Sequence, residues 1–120
     1  MRETDLQRRC LGWFEESYPE YYPLLLHIPN EATYKAAKFY RSIGVKKGAP
    51  DLLLLLKNNT YGYLAIELKV GYNKQTPEQV SWEDAINDTG GGRYRVCKSL
   101  EDFQYTVNAY LANGGVEPQY

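Results

Sequence analysis

The sequence predicts an α/β fold, in which helices pack on a small β-sheet. Apolar residues recur at helical spacing near both ends of the chain, over residues 6–14 and 100–112. The middle of the chain has a hairpin pattern, in which residues 52–56 and 61–70 flank a two-asparagine turn. With no repeat, low-complexity segment or linker in 120 residues, we expect one domain spanning residues 1–120.

The first element is predicted to be a helix that packs one face on the core. Thr4 and Gln7, three residues apart, have the pattern of a capping box at its start, and Pro19 predicts its end. Leucines and aromatic residues on one face are expected to be buried. These core residues are Leu6, Cys10, Trp13 and Phe14.

Two less regular elements are predicted next. Residues 18–30 carry three prolines around Leu24-Leu25-Leu26, which indicates an irregular segment with one short buried strand. Residues 32–43 are expected to form a basic helix that stops at Gly44. A loop with two glycines and a proline then leads into the next strand.

The leucine run is predicted to form one strand of a hairpin whose second strand spans residues 61–70. Asn58 and Asn59 tolerate the positive φ that a tight turn needs. Strand alternation places Glu67 and Lys69 on one face. If the hairpin is symmetric about Asn59, Asp51 lies opposite Glu67, with Cβ atoms about 4.5–5.5 Å apart.

The last part of the chain is predicted to form helix, strand and helix. Thr76 is a capping residue followed by Pro77 and, at the third helical position, Gln79, and this helix is expected to run to about Asp88. Three glycines break it before a strand at 93–97. Further capping and stop signals bound a last helix, from Ser99 through Ala112 to Gly114.

The charge of the chain is distributed unevenly along the sequence. The formal net charge is -1, but residues 32–57 hold six basic residues against one acid, and residues 58–88 have a net charge of -3. This pairing is typical of a protein that binds a polyanion and holds cations nearby, or simply of a solvated charged face. The basic residues are Lys35, Lys38, Arg41, Lys46, Lys47 and Lys57.

Several function classes are excluded by residue types and spacing. Cys10 and Cys97 lie 87 positions apart with no second ligand near either, so they indicate two reduced thiols rather than a zinc site. His27 is the single imidazole, which removes most Ser-His-Asp schemes. The longest apolar run, residues 52–56, is far shorter than the roughly 20 residues of a membrane span, and a charged N-terminus leads us to expect a cytoplasmic protein.

The opposed carboxylates are the strongest chemical signal in the sequence. Two like charges facing each other across a hairpin are destabilising unless a cation lies between them, and carboxylate oxygens favour Mg²⁺ or Mn²⁺. Lys69 would lie beside Glu67, where it could hold an attacking water or offset charge on a phosphate. In the alternative interpretation, Asp51 caps a loop and Glu67 and Lys69 form an ordinary ion pair.

These residues resemble those of a known nuclease family. Pro50-Asp51 followed by Glu67-Leu68-Lys69 is similar to the PD-(D/E)xK motif, and residues 44–52, GVKKGAPDL, look like the signature of its VRR-NUC branch. Residues 3–7 resemble the Glu-x-x-x-Gln of that branch's first helix. Gln79 and Trp82 resemble its helix after the core hairpin.

The resemblance implies a restriction-endonuclease-like core, with a mixed central sheet flanked by helices. It also implies Mg²⁺ or Mn²⁺ held by Asp51, Glu67, the Leu68 carbonyl and Glu3, and metal-assisted attack of water on a DNA phosphodiester. Thr4 as the helix cap would leave Glu3 outside the helix and put its role in doubt. Lys69 would orient or deprotonate the water.

Gln79 has a catalytic interpretation from the resemblance and a simpler one as the capping partner of Thr76. The basic residues that cluster in the sequence directly before Asp51 are the candidates for DNA phosphate contacts, and replacing any one of them should weaken binding to all sequences alike. These predicted contacts are Lys35, Lys38, Arg41, Lys46 and Lys47.

The sequence contains no recognisable reader of bases, so DNA shape is the expected determinant of the substrate. Short phage-type members of this branch resemble homodimeric Holliday junction resolvases, which cut four-way junctions at two active sites related by a two-fold axis. The alternatives are a nuclease for flaps, nicks or plain duplex, and a non-catalytic nucleic-acid-binding module. Tyr18, Tyr21 and Tyr22 are candidates for a dimer surface or for the core.

Overall fold

A computed structural model describes residues 1–29 and 36–119 of the chain. Within these ranges, helices and strands follow one another in the predicted order, with one short helix before the hairpin. The elements are α1 (Glu3–Ser17), a 3₁₀ turn (Tyr22–Leu24), β1 (Leu25–His27), α2 (Ala37–Ser42), β2 (Leu52–Leu54), β3 (Tyr63–Leu68), α3 (Pro77–Thr89), β4 (Gly92–Cys97) and α4 (Leu100–Ala112).

The four strands form one mixed sheet in the order β1-β2-β3-β4. The pairs β1/β2 and β2/β3 are antiparallel, whereas β3 and β4 are parallel and are joined through α3. Leu52 pairs with Ile66, and Leu54 with Leu64. Both pairs are symmetric about Asn59, so the predicted hairpin register is confirmed.

Helices cover both faces of the sheet. On one face, α1 and α4 pack on the side chains of Leu64, Ile66 and Leu68. On the other face, α3 packs through Ile86 on a smaller cluster that includes Ala65. The strand alternation therefore places Glu67 on the face that α3 covers. This α/β arrangement, a mixed sheet between helices, is the predicted fold class.

Helix α1 begins two residues earlier than the sequence predicted. Arg2, not Thr4, is the N-cap, and its backbone N–H donates to Asp5 Oδ2 at 3.2 Å. The carboxylate of Asp5, at the third helical position, thus accepts from the backbone N–H of Arg2. With Thr4 as the cap, Arg2 would have preceded the helix. As a result, Glu3 lies in the first turn of α1, and its predicted place outside the helix was wrong.

Other elements are shorter than their sequence patterns. Only Leu52–Leu54 of the five leucines form regular strand, and Leu55 is 47% exposed. The second hairpin strand is Tyr63–Leu68 rather than residues 61–70. Of the basic helix predicted over residues 32–43, the described part forms α2, and residues 30–35 lie outside the described residues.

The tyrosine-rich segment after α1 belongs to the core. Tyr18 is 1% exposed and its hydroxyl donates to Asn108 Oδ1, while Tyr21 and Tyr22 are half-buried against the same cluster. Of their two predicted roles, the core role is the one that the structure supports. Among the described residues, no helix has both the length and the apolar composition needed to cross a membrane.

Candidate active site

The predicted carboxylates meet at the end of the hairpin where β3 finishes. Asp51 directly precedes β2, and Glu67 is the second-last residue of β3. Extending the observed register by one position places the two residues opposite each other. The backbone N–H of Leu68 donates to Asp51 Oδ2 at 2.7 Å. The hairpin therefore fixes the Asp51 carboxylate by its own backbone.

Glu67 is an almost completely buried carboxylate, with 2% of its surface exposed. Its Oε1 accepts a hydrogen bond from Gln79 Nε2 at 2.7 Å. Its Oε2 is also buried, and no group of the described residues donates a hydrogen bond to it. Burial first, and then the neighbouring Asp51 carboxylate, raise the pKa of Glu67 to about 9. The fold thus holds an acceptor for which it supplies no donor.

Lys69 is the only cation among the described residues that moderates the charge around Glu67. It is 8% exposed, and its positive charge opposes the increase in the Glu67 pKa. Its Nζ lies 3.9 Å from Glu3 Oε1, at the start of α1. The negative charge of Glu3 in turn contributes to raising the Glu67 pKa. The structure therefore brings the first turn of α1 to the site.

Gln79 has both of the contacts that the two interpretations of the sequence required. Its Oε1 accepts from the backbone N–H of Thr76 at 2.8 Å, and its own backbone N–H donates to Thr76 Oγ1 at 3.2 Å. This is the predicted capping box at the start of α3. The side-chain amide Nε2 remains free to donate to Glu67. One side chain thus closes the helix and holds the catalytic candidate.

The glycine-rich loop before Asp51 packs against the first turn of α3. Gly48 has a φ of +81°, and a Cβ built on it would lie 2.7 Å from Glu78 Cβ. Trp82 Nε1 donates to the carbonyl of Lys47 at 3.2 Å, and Lys47 Nζ lies 3.4 Å from Glu78 Oε1. Only a residue without a side chain fits at position 48, and this close packing positions Asp51.

Most of the predicted phosphate contacts lie on the protein surface. Lys38 and Arg41 are exposed on α2, and Lys46 is exposed in the following loop. Lys47 is exposed but paired with Glu78. Lys35 lies outside the described residues. No measured property tests their role in DNA binding, so it stays a prediction.

The residues at this site fit a divalent cation. Glu67 Oε2 is an acceptor without a donor, and the adjacent Asp51 adds a second carboxylate. Because the N–H and C=O of one strand residue point to the same side, the Leu68 carbonyl faces the edge on which its N–H meets Asp51. Among residues 1–29 and 36–119, no three Asp, Glu, His or Cys side chains form a metal cluster. Carboxylate and carbonyl oxygens are hard ligands of the kind that suits Mg²⁺ or Mn²⁺, which keep several waters when bound.

One contact at this site was missed from the sequence. The ring of His27 lies with Nδ1 2.9 Å from the backbone carbonyl of Asp51, and the Ile28 N–H donates to the same carbonyl at 2.9 Å. These bonds extend the pairing of β1 with β2 up to the site. No spacing in the sequence signals them, because they depend on which strand is the neighbour of β2.

Comparison with known proteins agrees with this geometry. The model of the VRR-NUC domain family matches residues 1–101. The chain belongs to the VRR-NUC family. A solved structure described as a VRR_NUC domain protein is similar, with a TM-score of 0.80 and 26% identity, over 95% of this chain and 91% of that chain. No curated protein matches this chain.

VRR-NUC membership gives the fold and a general function. The chain is a nuclease-fold domain for processing nucleic acids, and the family implies DNA as the substrate. Asp51, Glu67 and Lys69 stand at the positions of the motif that carried the resemblance. Their individual roles are the subject of the proposal below.

Proposed function

We propose that this VRR-NUC domain, one unit over residues 1–120, is a metal-dependent DNA endonuclease that cuts branched DNA. The observation that carries the proposal is Glu67, whose buried Oε2 has no donor among the described residues and which is forced against the Asp51 carboxylate. Such a pair is destabilising in a purely structural role, because each carboxylate disfavours the charge of the other. A divalent cation between them removes that cost.

Each residue of the site has a distinct role in this proposal. Asp51, Glu67 and the Leu68 carbonyl hold Mg²⁺ or Mn²⁺, and Glu3 is a further candidate ligand. When bound, the ion supplies positive charge where negative charge develops on the DNA phosphate and the leaving oxygen. Lys69 orients the attacking water and favours loss of its proton. Gln79 is a positioning residue, since it acts through its hydrogen bond to Glu67.

Lys69 suits the role of orienting the attacking water because it is buried next to Glu67 but only weakly paired. Its side chain emerges two residues after Glu67 on the same strand face, and its nearest carboxylate contact, Glu3 Oε1, is as far away as 3.9 Å. A cation that is little exposed but weakly paired keeps its charge available for a phosphate. The charge of a lysine at the surface would instead be screened by water and salt.

We place the specificity in DNA shape, and the four-way junction is the proposed substrate. Helices α1, α3 and α4 pack on the sheet, and the remaining helix of the described residues, α2, is an exposed helix of 6 residues with no helix-turn-helix or zinc-finger pattern for reading bases in the major groove. A homodimer would supply the two active sites that a symmetric junction needs. A nuclease for flaps, nicks or duplex shares the same catalytic residues and differs only in this choice.

The test compares cleavage of a labelled four-way junction with that of a linear duplex at one salt concentration, with Mg²⁺, Mn²⁺ or EDTA. We expect metal-dependent cutting near the junction centre, and a rate reduced by about 10²-fold or more in Asp51→Asn and in Lys69→Met. Asp84→Asn is the matched control, since it removes an exposed carboxylate of α3.

The outcomes separate the parts of the proposal. Equal cutting of junction and duplex would keep the nuclease and reject the junction specificity. Cutting by Asp51→Asn at the rate of the unmodified protein would show that the assigned site is wrong. Binding without cutting by folded protein, in either metal, would reject catalysis and favour a binding module.

A further inference from the structure

A cavity lies on the opposite face of the sheet from Glu67. It has a volume of about 260 Å³ and is formed between the edge strand β4 and helix α4. Arg93 and Arg95 line it from the strand, and Tyr105 lines it from the helix. A cavity of this size accepts a small ligand and is too small for a folded protein segment.

The two arginines make this cavity strongly positive. They are two residues apart on β4, so their side chains point to the same face. Both are half-buried, and no carboxylate of the described residues forms an ion pair with either. Two neighbouring guanidinium groups that are partly removed from water repel each other unless an anion lies between them. An anion in the cavity would remove this repulsion.

Several other polar groups of the cavity are already used within the protein. Asn58 donates to the Tyr110 carbonyl and accepts from the backbone of the next turn. The Tyr110 hydroxyl donates to the Leu56 carbonyl, and Asn113 donates to Thr60 Oγ1. These bonds make the floor of the cavity rigid. The arginines, the ring of Tyr105 and the hydroxyl of Tyr61 remain to contact a ligand.

Tyr105 indicates which chemical group accompanies the anion in the ligand. It is 71% exposed, although it lies on a helix whose buried face is full of apolar residues. An exposed aromatic ring beside two guanidinium groups offers a stacking surface next to a phosphate-binding fork. Together these groups match the phosphate and the base of one nucleotide.

The cavity is separate from the candidate active site. In the parallel register, Arg95 pairs with Ile66, whereas Glu67 pairs with Val96. Ile66 belongs to the face covered by α1 and α4, and Glu67 to the face covered by α3. The sheet thus stands between the two sites, and a ligand on the arginines cannot touch the catalytic carboxylates.

We infer that this cavity, which we call the arginine pocket (Arg93, Arg95 and Tyr105), binds a single nucleotide through its phosphate. The two guanidinium groups hold the phosphate oxygens, and the base lies against Tyr105. The nucleotide is either free or one unit of a DNA strand that passes behind the sheet. The inference goes beyond the proposed nuclease activity and does not depend on it.

The test measures binding without metal, so that no DNA is cut. The probes are inorganic phosphate, dAMP and a short single-stranded oligonucleotide, observed by NMR through the arginine side-chain Nε–H signals. We expect dAMP to shift the signals of Arg93 and Arg95, and Arg95→Gln to weaken dAMP binding by about tenfold or more. Arg8→Gln, which changes an exposed arginine of α1, is the matched control.

Tyr105→Ala keeps the test decisive if an arginine variant fails to fold. Because Tyr105 is exposed, this change should leave the fold intact, weaken dAMP binding and leave phosphate binding unchanged. The salt dependence of single-strand binding separates a free nucleotide from a nucleotide of a DNA strand. If the pocket binds DNA, Arg95→Gln lowers the slope of log K against log salt by about one. If dAMP binding falls while that slope is unchanged, the source is a free nucleotide.

Three results would overturn the inference. The first is that none of the three probes moves the arginine signals. The second is an equal loss of binding in Arg8→Gln, which would indicate general charge attraction. The third is a shift of the same signals with protein concentration alone, which would make the arginine pocket a contact between copies. Because no readout involves cleavage, failure of the nuclease proposal would leave this test intact.

Discussion

At the scale of single residues, Glu67 is where function opposes stability. Replacing it with Gln should increase the free energy of unfolding of the metal-free protein by about 1–3 kcal/mol at pH 8. The neutral amide can still accept from Gln79 and can donate to Asp51, and it avoids the cost of the proton that Glu67 must take up on folding at this pH. Urea denaturation of both proteins in EDTA measures the difference, and a less stable variant would contradict the prediction.

The pH dependence gives a second check on the same residue. Burial and Asp51 raise the folded-state pKa of Glu67 from 4.5 to about 9. Between these values the folded protein binds one more proton than the unfolded chain, so the free energy of unfolding falls as pH rises from about 5 to 9. The Glu67→Gln variant should lack this part of the slope. Because Glu67 is a ligand in the proposed metal site, the variant should also lose the stabilisation that we expect Mn²⁺ to give the unmodified protein.

The sequence predicted the site residues that depend on local pairing. Asp51 and Glu67 could be placed opposite each other because a two-asparagine turn fixes the hairpin register. For Gln79 the sequence left two alternative roles. A capping box assigns a partner to the side-chain oxygen of Gln79 but gives no partner for the side-chain nitrogen. Its bond to Glu67 depends on how α3 lies on the sheet, and spacing carries no information about that.

At the scale of elements, the loop before β2 depends on a close contact with α3. Gly48→Ala should destabilise the protein by about 1–3 kcal/mol more than Gly44→Ala. Both glycines have positive φ, of +81° and +99°, so both variants incur backbone strain. A Cβ at position 48 would also meet Glu78 Cβ at 2.7 Å, whereas nothing lies within 4 Å at position 44.

Chemical denaturation of the two variants tests this comparison directly, since the backbone term is common to both. Gly48→Ala should also reduce cleavage at temperatures where it remains folded, because the loop carries Asp51 and the close contact with α3 lies beside Gln79. Equal losses of stability in the two variants would show that the contact with α3 is not what requires glycine at position 48.

Element order could be predicted well, and element ends less well. Capping chemistry is local, so Thr76 and Ser99 mark their helix starts correctly. At α1, two caps compete within three residues, and the Asp5 carboxylate decides in favour of Arg2. The regular strand of the leucine run ends at Leu54, although the Leu55 N–H still donates to the Leu24 carbonyl in register with the pairing of β1 and β2. Such choices depend on partners distant in the chain.

At the scale of the whole molecule, the sequence indicated that basic and acidic residues are concentrated in different segments. The fold shows how the basic segment lies relative to the candidate active site. The basic segment 32–57 leads through α2 and its following loop to Asp51, at the edge of the site. In the proposed function, a polyanion attracted by α2 would lie close to the carboxylates. The arginine pocket could not be recognised from the sequence, because Arg93 and Arg95 alternate with core residues like any half-buried strand.

The last prediction concerns how these cations bind DNA. Replacing Lys38, Arg41 and Lys46 together with Gln should weaken binding in EDTA and lower the slope of log K against log salt by about three, since each exposed cation that neutralises a phosphate releases one counterion. Fluorescence anisotropy over a series of KCl concentrations measures the slope. Lys47→Gln should change it less, because Lys47 already pairs with Glu78.

Lys57→Gln is the control for this experiment, since it belongs to the same basic segment but follows β2 at the end of the hairpin away from Asp51. If Lys57→Gln lowers the slope by as much as each replaced residue of the triple variant does, DNA is attracted by the total charge of the protein. An unchanged slope in the triple variant would place the DNA path elsewhere on the molecule, and the arginine pocket would become its leading candidate.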